Sequence, residues 1–161
     1  MGEDLLHEVR GLLKAGELHK AKTILLTLIQ EEPDHPEIQF LCGSVHDALG
    51  QEKEAISFYN AALHLGISGV HREETYIQLG SSLRAIGEYE KAKQILTEGL
   101  AEYPDNAAMH IFFAMTLYNL GNCKEAISRL LKITAQNKND EWLKKYQKAV
   151  MFYADHLDHK W

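Results

Sequence analysis

The stretch YIQLGSSLRAIGEYEKAKQILTEGLAEYP, residues 76–104, carries the pattern that decides the fold. Within it, Gly87 follows one apolar helical segment, and Ala92 lies five residues later, early in the next segment. The same pairing recurs at steps of 34, 37 and 34 residues, as Gly16 with Ala21, Gly50 with Ala55 and Gly121 with Ala126. A regular period of this length, with small residues at fixed places, is typical of stacked helix–turn–helix repeats.

The repeat resembles the tetratricopeptide repeat, TPR, whose pattern is W-x2-L-G-x2-Y, then A-x3-F, then P. The third repeat fits best, at Tyr76, Leu79, Gly80, Leu83, Ala92, Leu96 and Pro104. The first repeat departs most, because Glu8 and Val9 stand where leucine and glycine are expected. Terminal repeats are often atypical, since one of their faces meets water. The resemblance implies a short bacterial-type TPR protein, with an all-α, right-handed α-solenoid of four helix pairs plus a C-terminal capping helix.

This frame predicts a single TPR domain over residues 1–161. Its repeats span approximately 2–35, 36–69, 73–106 and 107–139, followed by a C-terminal helix at 140–157. The longer 37-residue step predicts a longer loop at 66–72, where two glycines and a serine cluster.

The last predicted helix is amphipathic, with a stripe made by Leu143, Tyr146, Val150, Tyr153 and Leu157. We expect this stripe to cover the apolar flank of the fourth repeat, because solenoids need a covered end. Three aromatic residues lie off the stripe, namely Trp142, Phe152 and Trp161. They either pack at its margins or contact another subunit.

Composition limits the classes of function. Apolar residues make up 45% and charged residues 25% of the chain, as in globular proteins. The net charge of −6 argues against a nucleic-acid partner, because phosphate contacts need a basic face. No apolar run approaches the length of a membrane span, so a membrane partner is not expected. The acidic start and two distant cysteines favour a cytoplasmic protein.

Histidines and cysteines suggest one alternative, a metal- or thiol-dependent enzyme. Cys42 and His46 are four residues apart, and His156 and His159 lie three apart beside aspartates. Cys42 and His46 occupy packing positions of the TPR pattern, and the histidine pair has no third ligand fixed near it. We therefore predict that the protein is not an enzyme and has no catalytic, cofactor-binding or metal-binding residues.

The TPR resemblance implies a concave groove lined by the first helix of each repeat. The residues assigned to it are Leu6, Arg10, Phe40, Ser44, Asp47, Ile77, Ser81, Arg84, Ile111, Met115 and Tyr118. Most of them follow the spacing i, i+4, i+7 and so share one helix face. The alternative is that part of this set is core or is covered by the last helix. Of the residues that form a carboxylate-binding ladder in some TPR domains, only Arg10 is matched.

These observations predict a non-catalytic protein–protein interaction module that binds a peptide or helix in its groove. Such a module would act as an adaptor, scaffold or chaperone. Two alternatives remain open at this point. One is a secretion-type chaperone for an exported protein, and the other is a homo-oligomer that buries its own groove.

Overall fold

The computed structural model describes residues 2–160, and this part of the chain forms nine α-helices and no strand. In chain order they are α1 (Gly2–Lys14), α2 (Leu18–Glu31), α3 (Pro36–Ala48), α4 (Glu52–His64), α5 (Gly69–Ala85), α6 (Tyr89–Glu102), α7 (Ala107–Asn119), α8 (Cys123–Ala135) and α9 (Glu141–Asp155). The predicted all-α helical-repeat fold is confirmed. Trp161, one of the aromatic residues singled out above, lies outside the described residues.

The chain divides into two compact units, the first ending at Glu88 and the second beginning at Tyr89. In the first unit, each helix from α1 to α5 packs against the next one along the chain. In the second unit, α6, α7, α8 and α9 pack in the same sequential way. The boundary falls inside the third predicted repeat, so its first helix ends one unit and its second helix begins the other.

The turn after α3 shows how the repeat glycines end the helices. Gly50 has φ of 71°, a left-handed conformation that other residues rarely adopt. The backbone N–H of Gly50 donates to the Asp47 carbonyl at 2.9 Å, and that of Gln51 donates to the His46 carbonyl at 2.9 Å. These two bonds satisfy carbonyl groups at the end of α3, and the chain then turns into α4.

The small residues of the pattern lie where helices approach closely. Gly43 is buried in α3, and a Cβ atom placed on it would lie 2.6 Å from ring carbons of Tyr59 on α4. Tyr59 is itself fully buried in the first unit. The contact shows why this position of α3 carries glycine, because any side chain there would overlap the tyrosine ring.

The longer loop predicted at 66–72 is not present. α5 begins at Gly69 and is the longest helix of the described chain, with 17 residues. Ile67 is buried just before it, and Arg72 donates to the carbonyl oxygen of Ile67 at 3.4 Å. The extra residues of the 37-residue step therefore extend α5 at its N-terminal end, and the helix begins at Gly69 with φ of 62°, a left-handed conformation that glycine adopts without strain.

The last helix packs on α8, as predicted, but through a different stripe. Ala154 is buried, and the Gln147 side-chain amide donates to the Ala135 carbonyl at 2.9 Å. Ala135 is also buried, whereas its equivalents in the other second helices are exposed, namely Gln30, His64 and Ala101. α9 thus covers a face that the other second helices expose. Of the predicted stripe, Leu143 and Val150 are half-buried, while Tyr146, Tyr153 and Leu157 are exposed.

Candidate functional site

The most exposed part of the predicted groove is one face of α7 in the second unit. Ile111 and Tyr118 are 42% and 66% exposed, and Met115 between them is half-buried. We call these three residues the α7 stripe. The opposite side of the helix is core, made by Met109, Phe113, Thr116 and Leu117. α7 therefore presents a continuous apolar face to its surroundings, which is typical of a binding surface.

Local contacts fix the orientation of α7. Asn106 caps the helix, since its side-chain oxygen accepts from the backbone N–H of Met109 at 2.8 Å. The helix packs against both α6 and α8. Arg129 of α8 lies over the ring of Phe113, 4.3 Å from its centroid. The stripe is thus carried by a helix that is held from two sides.

The first unit presents a more polar set of predicted groove residues. On α5, Ile77, Ser81 and Arg84 are half-buried, and on α3 the same holds for Ser44 and Asp47. The two helices are joined where the Ser82 hydroxyl donates to Asp47 Oδ1 at 3.0 Å. The face of this unit can therefore supply hydrogen bonds and both signs of charge, whereas the α7 stripe is apolar.

Two residues assigned to the groove are buried instead. Leu6 and Phe40 both belong to the core of the first unit. The ring of Phe40 lies 4.6 Å from that of His71 and 6.2 Å from that of Tyr59. His71 belongs to the extra turn of α5, so that turn provides the cover over Phe40. Neither side chain is available to a ligand.

Arg10 is half-buried and already engaged within the chain. Its Nε and Nη2 atoms donate to Glu37 Oε1 on α3, at 3.0 and 2.6 Å. Charge-assisted bonds of this kind are stronger than neutral ones, so the pair holds α1 against α3. A ligand carboxylate would have to compete with Glu37 for this guanidinium group.

Among the predicted groove residues, Asp47 is the one whose charge lowers the stability of the folded state. Burial raises the pKa of its carboxyl group, the charge of Glu52 raises that pKa further, and the Ser82 hydrogen bond acts in the opposite direction. Because the pKa is raised in the folded state, ionised Asp47 opposes folding at neutral pH. A partly buried carboxylate that costs stability is a candidate for contact with a ligand.

We expect Asp47→Asn to be more stable than the wild type at neutral pH. The neutral amide avoids the cost of burying a charge, while its carbonyl oxygen still accepts from Ser82. The folded protein loses stability relative to the variant as pH rises through the raised pKa of Asp47, because the buried carboxyl group then becomes charged. As pH falls towards the ordinary aspartate pKa of about 3.9, Asp47 is protonated and the advantage of the variant should disappear. Urea unfolding across this pH range measures it. Asp34→Asn removes one charge from an exposed position and is the control; an equal effect there would exclude burial as the cause.

The residues considered for metal or thiol chemistry have other partners. The Cys42 thiol donates to the Leu25 carbonyl at 3.9 Å, and burial raises its pKa to about 12. His46 Nδ1 donates to the backbone carbonyl of Cys42 at 2.7 Å rather than to the thiol. His156 Nδ1 donates to the Phe152 carbonyl at 2.8 Å. Within residues 2–160, no cluster of three or more histidine, cysteine, aspartate or glutamate side chains is placed to hold a metal ion.

Large apolar side chains are also exposed on the last two helices, outside the predicted groove. On α8 they are Ile127 and Leu130, which we call the end face, and on α9 they include Trp142 and Tyr146. Leu130 stands four residues after Ala126, at the F place of the A-x3-F pattern, where an apolar packing residue is expected. Trp142 lies off the predicted stripe of the last helix, which is the sequence signal for its exposure.

Comparison with known proteins shows where this architecture occurs. The family model of the tetratrico peptide repeat matches residues 36–157. No curated protein sequence matches the chain. Among residues 2–160, none of the helices combines the length and apolar character that a membrane crossing requires.

Solved structures of TPR proteins share the fold at low sequence identity. YrrB, described as a TPR protein with an unusual peptide-binding site, is 18% identical, with TM-score 0.74 over 96% of this chain and 78% of YrrB. A crystal structure of MamA is 16% identical, with TM-score 0.73 over 99% of this chain and 78% of that one. MamA from Desulfovibrio magneticus RS-1 is 16% identical, with TM-score 0.70 over 98% and 97% of the two chains.

Proposed function

Because the chain belongs to the tetratricopeptide repeat family, we propose that it is a non-catalytic protein-interaction module that binds a peptide or a helix on its first helices. The observation that carries this proposal is the α7 stripe. Its two exposed apolar side chains, Ile111 and Tyr118, stand one above the other on a helix whose opposite side is core. Large apolar and aromatic side chains of this kind are the usual anchors of peptide recognition.

The polar face of the first unit fits the same role. Ser44, Ser81 and Arg84 can donate hydrogen bonds to the backbone or carboxylates of a ligand, and Asp47 can accept them. YrrB, which shares the fold, is described as having a peptide-binding site. Peptide binding by this chain is our inference from the likeness and from the exposed stripe together.

In two alternative functions, the same surface binds a different partner. A secretion-type chaperone would hold an extended segment of an exported protein there, and a homo-oligomer would place a second copy on it. We prefer the role of a cytoplasmic adaptor or scaffold. The two cysteines of the chain, Cys42 and Cys123, are both free thiols, which fits a reducing compartment.

The groove hypothesis predicts that Tyr118→Ala weakens binding of the natural partner by about 1–3 kcal/mol, because a few buried anchors dominate most interfaces. Met115→Ala should act in the same direction with a smaller effect. Both side chains lie on an accessible face, so folding should be largely unchanged. To identify the partner, a photo-crosslinking amino acid replaces Tyr118 in the source cell, and the captured protein is sequenced. Its affinity for each variant is then measured by calorimetry.

The control for capture is the same photo-crosslinker at Leu26, an exposed leucine on α2 outside the predicted groove. A partner trapped equally from both positions is non-specific. Retained affinity in both alanine variants would place the binding site elsewhere. A crosslinked product made only of two copies of this chain would replace the peptide-binding proposal by the homo-oligomer.

A further inference from the structure

Two contacts hold α5 against α3 in the first unit. At one end, the ring of His71 on α5 lies 4.6 Å from the ring of Phe40 on α3. At the other end, the Ser82 hydroxyl donates to Asp47 Oδ1 at 3.0 Å. Glu74 stands between His71 and Ser82 in the chain, at helical spacings that place it on the same side of α5. The two helices therefore bring Glu74 and Asp47 to one shared junction.

Tyr59 of α4 lies beneath this junction. Its ring lies 2.6 Å from the place that a Cβ atom on Gly43 would take, and Gly43 precedes Asp47 by one turn of α3. The tyrosine is fully buried, and its hydroxyl has no hydrogen-bond partner within residues 2–160. Burial raises the pKa of this hydroxyl most, and the charges of Asp47 and Glu74 raise it further. The Asp47 carboxyl group is thus close to the hydroxyl but outside hydrogen-bonding geometry. We call Asp47, Tyr59 and Glu74 the acidic junction.

The negative charge at the acidic junction is unfavourable in the free protein. Asp47 stands in the last turn of α3, which ends at Ala48. That end of a helix carries partial negative charge, so a carboxylate there is repelled. Burial raises the pKa of Asp47, and Glu52 at the start of α4 raises it as well, against the effect of the Ser82 hydrogen bond. A buried hydroxyl without a partner adds to the cost and requires an explanation.

The basic side chains of α5 are directed elsewhere. Arg72 donates to the Tyr76 hydroxyl at 3.0 Å. Arg84 lies on another side of α5, about 200° round the helix from the serine that contacts α3. His71 Nδ1 lies 3.6 Å from Glu74 Oε2, outside hydrogen-bonding distance. A positive group from another molecule would therefore complete the acidic junction.

We propose that the acidic junction binds a lysine or arginine side chain of the peptide or helix that the first helices hold. This inference rests on the proposed function and names the residue type that the first unit selects. The cation lies over Asp47 and Glu74, which are only half-buried, and its N–H groups donate to their carboxylate oxygens. The Tyr59 hydroxyl lies below, out of the ligand's reach, and donates to Asp47 when the cation keeps that carboxyl group ionised.

The cost of the acidic junction to stability has a use in this arrangement. A binding site whose charges oppose folding gains stability when a ligand of opposite charge arrives. Asp47→Asn should therefore be more stable than the wild type and yet bind a cation less well. A loss of binding in this variant cannot then be attributed to unfolding.

The test selects peptides with the full chain from a positional-scanning library. The library holds acetylated and amidated peptides of about nine residues, long enough in extended form to cross two helices. We expect lysine or arginine to be enriched at one position. The selected peptide is then resynthesised with norleucine, which keeps the straight chain of lysine without its charge. The wild type should prefer the charged peptide by about tenfold or more, the usual effect of a charge-assisted hydrogen bond.

Asp47→Asn should remove this preference and keep the affinity for the norleucine peptide. Asp34→Asn, at an exposed position, is the control and should keep the preference. Tyr118→Ala should weaken both peptides by the same factor, so it tests the α7 stripe separately from the acidic junction. Selected peptides without lysine or arginine, or a preference that survives Asp47→Asn, would overturn the inference and leave peptide binding itself intact. An equal loss in both aspartate variants would also overturn it, because net charge would then be the cause.

A second measurement decides the case in which no peptide binds, a result that would count against the proposed function. The probes are n-butylammonium, which matches the end of a lysine side chain, and n-butanol, its neutral counterpart. Each is added to the isotope-labelled full chain at constant ionic strength, and NMR follows the titration of Asp47. We expect n-butylammonium alone to lower the pKa of Asp47, because a bound cation favours the charged carboxylate. No shift at Asp47, or an equal shift at Asp34 in the same spectra, would overturn the proposal.

Discussion

Replacing Leu96 by alanine is expected to destabilise the second unit by about 2–5 kcal/mol, the usual cost of emptying a buried leucine site. The same substitution at Leu130, the equivalent position one repeat later, should cost about 1 kcal/mol or less, since much of that side chain already meets water. The two variants remove the same atoms from the same position of the repeat. Their difference therefore measures the covering effect of the next helix, which α7 provides for Leu96 and which no helix within residues 2–160 provides for Leu130.

Urea unfolding followed by circular dichroism measures both variants, and the wild type is the reference. A loss of stability at Leu130 that matches the loss at Leu96 would mean that the end face is covered in solution. The residues that cover the end face would then belong either to a second copy of this chain or to another segment of the same chain. Dilution of the protein then distinguishes the two, because only association depends on concentration.

Gly43→Ala is expected to cost about 1–3 kcal/mol, because the new methyl group would overlap the buried ring of Tyr59 and force the two helices apart. This loss would exceed the helix-propensity gain of about 0.5–1 kcal/mol that alanine brings over glycine. Gly11→Ala provides the control. Gly11 is also helical, and a Cβ atom there would have nothing within 4 Å, so only the gain should remain.

A double-mutant cycle tests the cause of the Gly43 effect. In a Tyr59→Leu background the ring is gone, and Gly43→Ala should cost clearly less than in the wild type. An unchanged cost would show that the methyl group conflicts with something other than Tyr59. A gain of stability in the wild-type background would mean that α3 and α4 lie further apart than the structure shows.

The helices could be predicted from the sequence because their signals are local. A glycine such as Gly50 stops a helix within one turn, and its recurrence along the chain marks each pair. The start of α5 could not be predicted in this way. The sequence pattern predicts Gly66 and Gly69 as loop residues, yet Gly69 is the first residue of the helix. Ile67, just before it, is buried, and such burial depends on tertiary packing that a local pattern does not show.

The candidate site was predicted less completely, because exposure depends on neighbouring helices. Phe40, Ile77 and Ile111 occupy the same position of their repeats, but Phe40 is buried, Ile77 is half-buried and Ile111 is exposed. The extra turn of α5 that brings His71 to Phe40 has no counterpart in the other repeats. Likewise, the amphipathic stripe of α9 predicted that the helix packs, but not which face of α8 it would choose.

The two cysteines make the chain its own reporter of local opening. Cys123 is exposed and will react with a maleimide at once, whereas the Cys42 thiol is buried between α2 and α3 and is protonated at neutral pH. In a Cys123→Ser chain, alkylation can therefore occur only during the moments when α2 and α3 separate. The rate of that reaction therefore measures how often α2 and α3 separate, with a native residue of the first unit as the probe.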